Sequence, residues 1–164
     1  MNPVPIVPAR LDWPSAIGNF LLNFGTLDYF VFCFLKDQLP VEEFGKVKEW
    51  HFKDRVERIG QALRESGAPE GEQRQFTQLA GRLESIRELR NHLAHGHLLM
   101  RLDERTQKPS VTIFKAKDLD NHRMDDARHV EFFELLRALK ELTELTEGFK
   151  RLAGFKEDGH PHSP

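Results

Sequence analysis

The chain is poor in cysteine, in net charge and in uninterrupted apolar sequence, and each scarcity closes off a class of protein. Cys33 stands alone, so no internal disulfide is available, and its apolar neighbours in "DYFVFCFL" read as the surroundings of an inert buried thiol in a reducing compartment. The opening "MNPVPIVPARLDWP" lacks the basic and apolar regions of a secretory leader, so a cytoplasmic protein is expected. The most apolar stretch, Ala16 to Leu35, is broken by Asn19, Asn23, Thr26 and Asp28. A mid-span aspartate costs about 2.5–3.5 kcal/mol on the insertion scale, so a soluble core helix is expected there, with no membrane partner.

A net charge of −2 provides no bulk field to recruit nucleic acid, so any such contact has to come from a local patch. The chain also lacks a glycine-rich phosphate loop, a zinc-type Cys/His array and a serine nucleophile elbow. No cofactor is expected. There are no repeats and no low-complexity tract.

What remains is a chain of 164 residues, 39% hydrophobic, long enough for one domain with its own core. That domain is expected over residues 14–154. Before it, 1–13 with Pro3, Pro5 and Pro8 reads as an extended arm; after it, 155–164 reads as a disordered tail carrying His160 and His162.

The hydrophobic periodicity predicts four principal helices. The first spans about Pro14 to Leu39, with Pro40 as its stop and Ile17, Phe20, Phe24, Leu27, Val31 and Phe34 on its main stripe. Its polar strip, Asn19, Asn23 and Thr26, is left for solvent or a cleft. The second, about Lys46 to Glu65, buries Phe52, Val56, Ile59 and Leu63. The third spans about Glu70 to His95. The fourth, about Asp126 to Ala153, starts behind the acids of "MDD". Between the last two, residues of about 98–115 switch to short β-type runs around Lys108 and Pro109, a small hairpin. The class is therefore all-α with a two-stranded insertion.

The third helix carries an arginine where a leucine belongs. With roughly 100° per residue and Phe76 at zero, Leu79, Leu83, Ile86 and Leu93 fall near 300°, 340°, 280° and 260°, and Arg90 near 320°, amid the apolar stripe. A lone guanidinium in a packed interior is costly, so Arg90 belongs either at a subunit boundary or polar cleft, or against a core carboxylate such as Asp28. Asn91 and His95 share one flank, whereas His92 points away and is expected in solvent. Gly96 reads as a left-handed C-cap that leaves His95 in the last turn. His92, His95 and His97 have spacing a metal could use, but no carboxylate or cysteine nearby completes a set.

The run Arg90-Asn91-His92-Leu93-Ala94-His95-Gly96 resembles the signature of the HEPN superfamily: an arginine, a polar residue, and a histidine four to six positions after the arginine. Its place near the end of the third of four helices agrees with that family. The resemblance implies an up-and-down four-helix bundle, commonly a homodimer, whose active members are metal-independent endoribonucleases and often toxins of toxin–antitoxin or phage-defence systems. The hairpin insertion departs from typical members.

Carried onto this chain, the resemblance implies catalytic Arg90, Asn91 and His95. Arg90 would bear charge on the phosphorane, His95 would move protons, and Asn91 would position a phosphate or orient the histidine. Arg82, Arg87 and Arg101 are the candidate RNA-binding residues. One motif supplies one good histidine while the reaction wants an acid and a base, so a composite site at a homodimer interface of third helices is expected. An antitoxin is a conceivable partner besides RNA. The rival reading is a non-catalytic helical module that binds RNA, a nucleotide or a protein through the same residues.

Overall fold

The computed structural model describes residues 12–102, 109–114 and 127–155. The extended arm up to Leu11, the polar turn at Lys108, the "MDD" helix start and the tail histidines His160 and His162 lie outside them. Among the described residues are five helices and a three-stranded antiparallel sheet, so the protein is mostly helical. In chain order they are α1 Trp13–Gln38, α2 Val41–Val47, α3 Phe52–Glu65, α4 Glu70–His95, β1 His97–Leu102, β2 Pro109–Phe114, β3 Arg128–Glu131 and α5 Phe132–Leu152.

α1 is the hub. Its N-terminus is fixed by Asp12, whose carboxylate accepts from the Ser15 N–H at 2.8 Å, and proline sits in its first turn. Ala16, Phe20, Phe24, Leu27, Val31, Phe34 and Leu35 are buried. α1 packs most extensively against α5 and also touches α2, α3 and α4. By length and composition it could cross a membrane. The strip Asn19, Asn23 and Thr26 turns outward, with the Asn23 amide and the Thr26 hydroxyl donating to carbonyls one turn back.

Close helix approach depends on small residues. A Cβ at Gly60 would lie 2.9 Å from Phe76 Cε1, and one at Gly148 would lie 2.7 Å from Leu79 Cδ2. Those glycines let α3 and α5 settle onto α4, whose Phe76, Leu79, Leu83, Ile86, Leu89 and Leu93 are buried.

The expected third helix matches α4. The expected second helix starts too early: α3 begins at Phe52, residues 48–51 form a turn, and Lys46 and Val47 belong to the separate α2. Pro40 explains both ends. It stops α1 and, lacking an N–H, sits comfortably just before the first turn of α2. The hairpin is present, as β1 paired with β2 from His97↔Phe114 to Leu102↔Pro109. The fourth helix begins at Phe132 and not near Asp126. Arg128–Glu131 instead forms β3, pairing Val130 with Val111 of β2, because Val130 is fully buried by closing the sheet.

Gly96 is not left-handed. Its φ of −92° and ψ of 157° are extended, because the chain runs from α4 straight into β1. Left-handed glycines occur at Gly67 and Gly154, where α3 and α5 end in reversing turns with Ala68 N–H bonded to Leu63 O and Phe155 N–H to Lys150 O.

Candidate functional site

The last three turns of α4 form one wall of a cleft of about 770 Å³. Arg87, Glu88, Arg90, Asn91, His92 and His95 line that wall. Facing them are His51, Phe52 and Lys53, at the start of α3, and Phe24 of α1 forms the floor. The first turn of α3, which has no side-chain cap, adds the positive end of a helix dipole.

Arg90 is half-buried, and the cleft explains how an apolar stripe holds it. Its guanidinium carbon lies 5.4 Å from the centroid of the Phe24 ring, and that ring packs against Phe52 at 4.8 Å. The aromatic shelf holds the cation through its face and consumes none of its N–H donors. Nη1 donates to Asn91 Oδ1 at 3.1 Å and lies 3.4 Å from His95 Nε2. A guanidinium can only donate, and a neutral His95 ring can turn its Nε2 lone pair toward it. The three residues of the motif are thus in mutual reach at the exposed end of α4.

Asp28, the alternative partner for Arg90, has one carboxylate oxygen held by Arg55, while its Oδ1 is buried with no hydrogen-bond partner among the described residues. Its carboxylate accepts from Arg55 Nη2 at 2.8 Å, and among the described residues Arg90 makes no salt bridge. Burial pushes the Asp28 carboxyl above its ordinary value, against the opposing pull of the Arg55 charge and then of Arg90. Arg90 is therefore near enough for its charge to be felt under the cleft floor. Its place on the apolar stripe is accounted for inside one chain.

His92 differs from expectation. Its ring is half-buried in the cleft wall because Nδ1 bonds the Glu88 carbonyl at 2.7 Å, one turn back along α4. A carbonyl oxygen only accepts, so Nδ1 carries a proton and the neutral ring keeps its lone pair on Nε2.

The basic residues divide. Arg87 lines the cleft, but Glu84 holds its Nε at 2.9 Å and Nη2 at 2.5 Å, which offsets much of its charge. Arg82 ties α4 to α5 through Glu141 at 3.1 Å and Glu144 at 2.7 Å, and it does not line the cleft. Arg101 is exposed on β1, also off the cleft lining. His51 and Lys53 are cleft residues that sequence reasoning missed. They lie some forty positions before the motif and carry no local signal; only the packing of α3 against α4 brings them in.

Of the three histidines with metal-like spacing, His92 and His95 face the cleft while His97 opens β1. Among the described residues no three His, Cys, Asp or Glu side chains converge as a ligand set. What the cleft offers is a forked cation, a carboxamide and imidazoles around a partly aromatic floor. No protein-family model matches the chain, and neither a curated protein nor a solved structure is significantly similar to it.

Proposed function

We propose that the protein is a HEPN-like, metal-independent endoribonuclease that cleaves RNA by attack of the 2′-oxygen, with Arg90, Asn91 and His95 as its central residues. The observation that supports this reading is the contact set at the end of α4: Arg90 Nη1 reaches both Asn91 and His95, while Asp28 is engaged by Arg55. An arginine spent on internal charge pairing would favour a scaffold or binding module; one with donors turned to a cleft favours phosphate chemistry.

Arg90 would donate to the non-bridging phosphate oxygens, whose charge grows as the phosphorane forms. His95 Nε2 would take the 2′-hydroxyl proton, and Asn91 would hold the guanidinium in line through its carboxamide oxygen. Phe24 and Phe52 offer the apolar floor on which a base rests. A toxin or phage-defence role, a protein antitoxin and a cytoplasmic setting belong to the same proposal.

Purified protein incubated with mixed cellular RNA in excess EDTA is expected to leave 2′,3′-cyclic phosphate ends, and His95→Ala is expected to leave none above background. Equal cutting by wild type and variant would place the activity elsewhere. Wild type that binds RNA and cuts none of it would leave a binding module in place of the enzyme.

A homodimer through the α4 region is part of the proposal. Sedimentation velocity at micromolar concentration is expected to give a species near twice the mass of 19.1 kDa. A single 19 kDa species across that range would remove the dimer from the proposal.

A further inference from the structure

We infer that His92 is the general acid of the proposed cleavage, so that one protomer holds both proton-transfer groups and the partner's histidine is not required. The inference rests on the endoribonuclease reading of the cleft and names a catalytic residue that the Arg-Asn-His motif leaves out.

Three observations carry it. First, His92 and His95 are three apart on α4, a spacing that puts Cβ atoms about 5–6 Å apart on one face, and both rings line the same cleft. Second, the two imidazoles have opposite settings. His95 Nε2 faces the donor Arg90 Nη1 at 3.4 Å, a donor toward which a neutral ring can turn its Nε2 lone pair. His92 is anchored through Nδ1 to the Glu88 carbonyl at 2.7 Å, and Nδ1 donates there whether the ring is neutral or an imidazolium. Nε2 is then the one nitrogen of His92 that gains or loses a proton in use. Third, that backbone bond holds the ring in place without competing for the exchanging nitrogen, as the orienting partner of a catalytic imidazole does.

The proton balance closes within the chain. The 2′-hydroxyl proton passes to His95 Nε2 as the 2′-oxygen bonds to phosphorus. The bond from phosphorus to the 5′-oxygen breaks, and that oxygen takes the proton carried by His92 Nε2. The products are a 2′,3′-cyclic phosphate and a 5′-hydroxyl; one imidazole has gained a proton and the other has lost one, and water resets both. Arg90 stays on the phosphate oxygens.

A modified leaving group tests this. An RNA that the wild-type protein cuts is made with sulfur in place of the 5′-oxygen at the scissile bond, because a thiolate departs without a proton. His92→Asn keeps a side-chain N–H for the Glu88 carbonyl and removes Nε2. It is expected to slow the ordinary RNA by about 10²-fold or more and to cut the sulfur-substituted RNA within a few-fold of wild type. His95→Ala, lacking the base, is expected to stay slow on both.

His92→Asn that is slow on both RNAs, or as fast as wild type on the ordinary one, overturns the assignment. So does His51→Ala if it is the variant rescued by sulfur, because the acid is then on the facing wall. His92→Gln is run alongside, with thermal melts, so that a folding defect in one variant leaves the other to decide. If wild type cuts no RNA, the proposed function itself fails and takes this assignment with it, an outcome distinct from selective failure of the His92 variants.

Discussion

Arg90→Ala is expected to lower RNA cleavage by about 10²–10³-fold in kcat while leaving the melting temperature nearly unchanged. The two halves of that result have separate causes. The guanidinium contributes to folding through the Phe24 face at 5.4 Å and one hydrogen bond to Asn91, a contact of about 0.5–1 kcal/mol at a half-exposed position. Its contribution to catalysis is larger, because charge builds on the phosphate oxygens only in the transition state. Arg90→Lys is expected to recover little, since an ammonium has neither the planar fork for two oxygens nor the flat face that stacks on Phe24. Single-turnover rates with saturating RNA, measured beside melts, check both halves. A large melting shift with matching activity loss would mark Arg90 as a packing residue.

Gly96→Ala is expected to destabilise the fold by about 1–3 kcal/mol and to depress cleavage as well. Backbone strain is not the reason, because φ of −92° suits any residue. The reason is space: a Cβ at Gly96 would run into the Ile113 side chain and the His92 carbonyl oxygen and would sit 3.2 Å from the Phe114 carbonyl. Two of those are backbone atoms of α4 and β2, so a rotamer change gives no relief. Moving α4 away from β2 displaces His95, the residue before Gly96, and a shift near 1 Å in a catalytic group costs about 10²-fold. A lowered melting midpoint together with slower cleavage is the expected pair. Unchanged stability would mean that the helix-to-strand junction yields more easily than its contacts indicate.

The same glycine shows where sequence reasoning reached and where it stopped. A glycine directly after a histidine-ended helix marks the end of that helix, and α4 does end there. The backbone state was a different matter. Left-handed and extended exits both follow a glycine, and the choice fell to the pairing of His97 with Phe114, which no local pattern reveals. Likewise β3 reads as the front of a helix until Val111 is available to pair with Val130.

Helical periodicity placed α1 and α4 closely because burial of one stripe dominates long amphipathic helices, and it located Arg90 on the stripe of Leu83 and Ile86. It assigned Asn91 and His95 to a common flank for the same reason. Helical geometry depends only on spacing, so those relations are properties of the chain alone. What spacing cannot carry is the partner across a gap. That Arg90 rests on Phe24, that Asp28 is engaged by Arg55, and that His51 and Lys53 face the motif are relations between helices. Even His92, on the motif helix itself, was misplaced by its wheel position, because a hydrogen bond to the Glu88 carbonyl draws its ring into the cleft wall. The order of residues set the helices and the flank on which chemistry is possible; the packing of α1, α3 and α4 decided which charges stay available there, because only burial and neighbouring charge determine which guanidinium is paired and which faces the cleft.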